Sequence, residues 1–146
     1  MPTARRVLPF LLIGALAFTG CSATTAPIEA TTGTPVVVNN CGYEVTFDSA
    51  PKRVVTIKSS TTELLLALGV GDTIVGTGFQ DGPVPAEFAD AAADIPSISD
   101  FVPNEETVLG LEPDLVFGGW ESNFSAEGVG ERAELQSLGV NTYVAP

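Results

Sequence analysis

Histidine is absent from the 146 residues, and cysteine occurs only at positions 21 and 41. With no imidazole and so few thiols, most zinc, copper and haem-ligating donor sets are excluded, as is every triad built on a histidine base. Positive charge is scarce: six Lys and Arg stand against eighteen Asp and Glu, a formal net charge of −12. Arg5 and Arg6 are two of those six, and no acidic residue precedes Glu29. The field of the remaining chain repels phosphate backbones, which argues against nucleic acid as a partner and against a polybasic grip on anionic lipid. Long apolar runs are missing too. The longest, "VLPFLLIGALAF", has about 12 residues where a spanning helix needs about 20.

That run does have a use. A basic start, a short apolar stretch and small residues before a break describe a secretory signal, assigned to residues 1–20. The "FTGC" that ends it resembles a bacterial lipobox, with Phe18 where Leu is usual, and makes Cys21 the lipidated first residue of an exported protein. Residues 21–34, small and polar with Pro27 and no periodic face, read as a flexible tether from the membrane. Acylation of Cys21 leaves Cys41 without a partner here, as a free thiol, an intermolecular bond or half of a pair completed elsewhere.

From residue 35 the chain reads as one domain. "PVVVNNCGYEVTF" is a β-hairpin, two β-rich arms around an Asn/Gly turn. An alternation follows. "RVVTI", "TIVG", "PSIS", "DLVFG" and "NTYVAP" read as strands; "TTELLLALG", "AEFADAA", "PNEETVLGLEP" and "GERAELQSLG" read as helices. In the first helix Ser60 and Glu63 have capping-box spacing, the leucines supply a core face, and Gly69 is the stop. Asn104 caps the third helix, acids fill its first turn, and Pro113 terminates it. The fold class is therefore α/β: a mainly parallel sheet flanked by helices on both faces, preceded by a β-hairpin.

Ligands of such sheets sit at the carboxyl ends of the strands. There the sequence places Lys58, Ser59, Ser60, Thr61 and Thr62 after "RVVTI", Thr77, Phe79, Gln80 and Asp81 after "TIVG", and Trp120, Glu121, Ser122, Asn123 and Phe124 after "DLVFG". Lys58 and the hydroxyls beside it, at a helix N-terminus, suit an anion or a carbonyl. Trp120 and Phe124 either fold back onto the core or, with Phe79, wall a planar ligand; the wall is the favoured reading. Lys58 with Ser59 or Ser60 suggests a Ser–Lys nucleophile pair, but no oxyanion-hole motif or second base accompanies it, so an enzyme is not expected. "GTGFQDG" lacks dinucleotide spacing, and Asp90 with Asp94 reads as a solvated face, so no metal site is assigned.

Taken together, "PKRVVTIKSSTTELLLALGVGDTIVG", "PSISDFVPNEETVLGLEPDLVFGG" and "LQSLGVNTYV" resemble the first lobe of a periplasmic-binding-protein family: the substrate-binding lipoproteins of ABC importers for iron–siderophores, haem and cobalamin. That family reads P-x-R-V-V, then S-x-T-E-L-L-x-A-L-G, then N-x-E-x-I with L-x-P-D-L-V, then L-G-(I/V)-x-V-Y. Within it, "IKSSTTELLLALG" and "GWESNFSAEG" look most like a subgroup proposed to bind a deazaflavin cofactor precursor. The resemblance implies two Rossmann-like lobes joined by a long helix, with the ligand clamped between them. It also implies a lipid tether, a permease–ATPase partner, and neither catalysis nor a resident cofactor. Lys58, Ser59, Ser60, Thr61, Phe79, Gln80, Trp120, Glu121 and Ser122 are expected to face a siderophore, cobalamin or deazaflavin-like ligand. The resemblance assigns Glu106 to permease docking. Ser59 stands where the family has Pro. The chain stops at "VAP", where a linking helix and second lobe would follow, so the second lobe is expected to be absent and Cys41's partner to lie in it. Two alternatives stand beside this reading: an exported single-lobe interaction module and a small Ser/Lys hydrolase.

Overall fold

A computed structural model describes residues 34–146; the signal, nearly all of the tether and Cys21 lie outside them. Two strands, β1 (Val36–Asn40) and β2 (Tyr43–Phe47), pair antiparallel as the expected hairpin. Their two-residue turn puts Cys41 at φ 54° and Gly42 at φ 84°, the left-handed pair that matches strand twist in a tight hairpin.

Five short strands then form one parallel sheet: β3 (Val54–Ile57), β4 (Ile74–Gly78), β5 (Ser97–Ser99), β6 (Leu115–Gly118) and β7 (Asn141–Val144). Their spatial order is β5-β4-β3-β6-β7. β3 and β6 are buried along their whole length, as their unbroken apolar runs require of strands covered on both faces. The helices α1 (Ser59–Ala67), α2 (Ala89–Ala92), α3 (Glu105–Leu109) and α4 (Arg132–Ser137) connect the strands. Val55, Ile57, Val116 and Val144 pack on one face with Val108 of α3 and Leu135 of α4. Val54, Leu115 and Phe117 pack on the other with Leu65 of α1 and Phe47 of the hairpin. All of the expected strands and helices are present, and the sheet is parallel throughout.

Two arginines hold the frame. Arg53, before β3, donates through Nε to the Glu112 carbonyl (2.9 Å) and through Nη2 to that of Leu111, while Asp114 accepts from the backbone N–H groups of Lys52 and Arg53 at 2.7 and 3.0 Å. These contacts join the segment before β3 to the segment before β6. Arg132, buried on α4, donates to Thr142 Oγ1 (2.9 Å), to Asn40 Oδ1 (2.9 Å) and to the Asn40 carbonyl (3.0 Å), and its guanidinium lies 4.2 Å from the Tyr43 ring. It ties the hairpin to the edge of the sheet.

Helix α1 departs from expectation. Its N-cap is Lys58, and no side chain caps it; Ser60 is already inside the first turn, so the Ser60–Glu63 capping box does not form. The turn closes instead on the Lys58 carbonyl, which accepts from the N–H groups of Thr61 (3.2 Å) and Thr62 (3.4 Å). Nor do all the leucines face the core. Leu66 is buried and Leu65 packs on the sheet, but Leu64 and Leu68 are exposed. At 100° per residue, leucines at 64, 65, 66 and 68 span more than one face.

Candidate functional site

The strand order reverses between β3 and β6: β4 and β5 extend from β3 in one direction, β6 and β7 in the other. Such a reversal opens a crevice at the carboxyl ends of the two central strands. Lys58 follows β3 and Trp120 follows β6 by two residues, so the two lie at that point. Gly119 makes their approach possible. A Cβ on it would stand 3.0 Å from Lys58 Cβ and 3.2 Å from Lys58 Cδ, closer than such contacts ordinarily run.

Lys58 has φ 91° and ψ 146°, a backbone conformation that favours glycine. Phe79, the residue after β4, is also left-handed, at φ 55°. Strained residues of this kind persist where surrounding contacts over-determine them. Here the Lys58 N–H donates to the Gly78 carbonyl (2.9 Å), and its own carbonyl accepts from Thr61 Oγ1 (2.8 Å). Its ammonium donates to both Asp81 carboxylate oxygens at 2.7 and 2.6 Å, and lies 4.3 Å from the Trp120 ring centroid and 5.3 Å from that of Phe79. The two rings meet edge to face, 5.9 Å apart. Four side chains from three strand ends thus converge on one point.

Beside them runs an open groove of about 660 Å³ lined by Ser60, Leu64, Gly119, Trp120, Glu121 and the last residues of the chain. Trp120 keeps 46% of its surface exposed. Phe124 does the opposite: it is buried, and its ring would collide with a Cβ on Gly118. Of the two aromatics the sequence placed in this loop, one walls the groove and the other packs the core.

The remaining candidates divide. Ser60 lines the groove and Ser122 is exposed. Ser59 Oγ accepts the Asp81 N–H at 2.7 Å, which fixes the loop that carries the carboxylate. Gln80 turns back, donating to the Gly78 carbonyl at 3.0 Å. Thr61 does not face the groove. It is fully buried, its hydroxyl held by the carbonyls of Ile57 and Lys58, because the strained turn presents those acceptors inward. Glu121 reaches back to Arg132 at 3.2 Å. Lys58 Nζ is engaged with Asp81 rather than a serine hydroxyl, so the Ser–Lys pair considered from the sequence is not formed.

Glu106 lies exposed in the first turn of α3, behind the Asn104 cap, whose Oδ1 accepts the Thr107 N–H at 2.9 Å. Glu105, equally acidic in sequence, is half-buried against Gly130. The sequence reading missed Phe101, which is 76% exposed just beyond β5 and whose carbonyl, with Pro103, packs against Gly78. Its signal is in the sequence: "PSIS" reads as a strand, and Asp100 and Phe101 follow its carboxyl end.

This fold, a doubly wound sheet with the Lys58–Trp120 cluster at its carboxyl edge, is that of part of a periplasmic binding protein. A crystal structure of a periplasmic binding protein from Veillonella parvula DSM 2008 superposes with a TM-score of 0.66 at 28% identity, covering 77% of this chain and 38% of that one. A second, of an ABC-type Fe3+-hydroxamate transport system from Saccharomonospora viridis DSM 43017, superposes at 0.62 with 29% identity, covering 78% and 40%. In sequence the chain is 36% identical over 93 residues to YvrC, an uncharacterized ABC transporter substrate-binding lipoprotein of Bacillus subtilis (strain 168). That match covers 63% of this chain and 28% of the relative, so the chain spans well under half the length of each protein it resembles. No family model matches. The resemblance to substrate-binding lipoproteins of ABC transporters, read from three sequence blocks, is thus found again in a curated relative and in the fold.

Proposed function

We propose that the chain is the N-terminal lobe of the extracytoplasmic solute-binding component of an ABC importer, lipid-anchored through Cys21 after removal of residues 1–20. Residues 21–34 act as the tether, and the lobe occupies residues 35–146. Its ligand, an iron–siderophore, cobalamin or related cofactor-like molecule, lies against the carboxyl edge of the sheet. One observation carries this reading: Lys58, Phe79, Asp81 and Trp120 meet at the strand-order reversal beside an open groove. Similarity to a substrate-binding lipoprotein and to an Fe3+-hydroxamate transport protein supports it. The exposed position of Glu106, against the half-buried Glu105, suits a charged contact with a permease.

Uptake by cells tests the reading. Deleting the gene is expected to abolish accumulation of one of three labelled solutes: a ferric hydroxamate, haem or cobalamin. Restoring it with Glu106→Lys is expected to restore solute binding to the purified protein but not accumulation. Unchanged accumulation of all three would contradict the proposal.

A further inference from the structure

Lys52, Arg53, Lys58 and Arg132 are the basic side chains of the described residues, and their positions decide which charge the groove can accept. Lys52 and Arg53 precede β3 and so lie at the opposite, amino edge of the sheet. Arg132 is buried and already paired with Glu121, its remaining donors spent on Asn40 and Thr142. Lys58 is paired with Asp81, and its side chain is only 16% exposed. Among the described residues, the carboxyl edge therefore has no uncommitted cation for an anionic ligand. It does offer a carboxylate, Asp81, that is 57% exposed, and the accessible ring of Trp120.

Two aromatic rings and a carboxylate around an ammonium ion are the elements of a cation cage, since the ring faces carry negative quadrupole potential and the carboxylate balances the charge. We propose that Trp120, Phe79 and Asp81 form a recognition site for an organic cation, and that Lys58 is its resident, displaceable occupant. This rests on the reading of the edge as the ligand-facing site and gives that ligand a chemical class: a molecule presenting a positively charged group, such as a quaternary ammonium, rather than an anion. The backbone at Lys58 supports displacement. A lysine held in a glycine-favouring conformation keeps it while the ammonium is anchored, and a ligand that takes over the cage releases that anchor. Because the resident ammonium competes, the apparent affinity of an incoming cation is reduced by the fraction of time the cage stands open.

Trp120 is the only tryptophan, so its emission reports the cage directly. The probe is tetramethylammonium chloride, titrated against sodium chloride at matched ionic strength, in the wild-type protein and in Lys58→Gly. The glycine variant vacates the cage and accommodates the positive φ; Lys58→Ala, which also removes the arm that reaches the rings, serves in its place if the glycine variant does not fold. A saturable emission change specific to tetramethylammonium is expected. It should be roughly tenfold tighter in the vacated variant than in wild type, and lost in Lys58→Gly/Asp81→Asn. Equal responses to tetramethylammonium and sodium in a folded variant would overturn the proposal. So would saturable binding of inorganic phosphate to wild type that disappears in Lys58→Gly, because Lys58 would then be an anion ligand. In either case, a saturable response of wild-type Trp120 to a ferric hydroxamate, haem or cobalamin would leave the edge as the solute site and remove only its assignment to cations.

Discussion

Asn40 and Val144, 104 positions apart, exchange two hydrogen bonds: the Asn40 amide donates to the Val144 carbonyl at 2.9 Å, and its Oδ1 accepts the Val144 N–H at 2.7 Å. A side chain thus satisfies both backbone groups of the last residue of β7, the edge strand, as a neighbouring strand would. The same Oδ1 accepts from Arg132, so one amide joins the hairpin, α4 and the sheet edge. Replacing Asn40 with Ala leaves buried donors and an acceptor unpaired, which costs about 1–3 kcal/mol for each group left unsatisfied. Asn40→Ala is therefore expected to lower the urea midpoint with little change in slope, whereas Asn39→Ala, in an exposed neighbour, is expected to shift it far less.

Arg132 should be equally intolerant and less forgiving of a conservative change. Its planar fork meets Thr142 and Asn40 from three nitrogens at once. Lysine keeps the charge but cannot reproduce that geometry. Both Arg132→Met and Arg132→Lys are expected to destabilise the domain by about 2–5 kcal/mol, lysine offering no rescue, as read by equilibrium denaturation.

Beneath the site, the hydroxyls of Thr56, Thr62 and Thr77 form a buried triangle, with Oγ1 separations of 2.7 Å (Thr56–Thr62), 2.8 Å (Thr62–Thr77) and 3.1 Å (Thr56–Thr77). Removing one hydroxyl takes one of two partners from each of the others, which still bond to each other; removing all three leaves a shape-matched apolar contact. Thr77→Val alone is expected to cost about 1–2 kcal/mol, and the triple Val variant less than three times that. A strictly additive series of unfolding free energies would show that the triangle is not a unit.

At Lys58, two substitutions separate backbone from side chain. Lys58→Ala loses the Asp81 pair and keeps a Cβ at φ 91°; Lys58→Gly loses the pair and relieves the strain. The glycine variant is expected to be the more stable by about 1 kcal/mol in thermal unfolding. Equal stability would indicate that the turn relaxes when the lysine is cut back.

Much of this was legible in the sequence, for reasons that can be named. The hairpin, the five strands and the helices between them follow from local pattern: β-branched runs between turn residues, and an Asn cap ahead of acids at α3. The strand-end rule located Lys58, Phe79, Asp81 and Trp120 because a parallel sheet puts those ends on one edge. What escaped is what depends on long-range geometry. The Ser60–Glu63 spacing suggested a cap, but the strained turn at Lys58 starts the helix earlier, and it buries Thr61, which had been assigned to the ligand. Nothing in the sequence around Arg132 marks it as buried, because its partners Asn40 and Thr142 come from the hairpin and β7. The run of hydroxyls suggested an anion site, yet Asp81, 23 residues on, already takes the charge of Lys58.

The claim that the Lys58–Trp120 edge is where solute binds is tested most directly by following Trp120 emission in this chain while titrating a ferric hydroxamate, haem and cobalamin in turn. One of them is expected to give a saturable change, with affinity weakened roughly tenfold or more by Phe79→Ala and by Asp81→Asn as followed calorimetrically, and scarcely altered by Asp90→Asn, in an exposed residue of α2 outside the groove lining. Saturable binding that leaves Trp120 emission unchanged and is indifferent to Phe79 and Asp81 would contradict it.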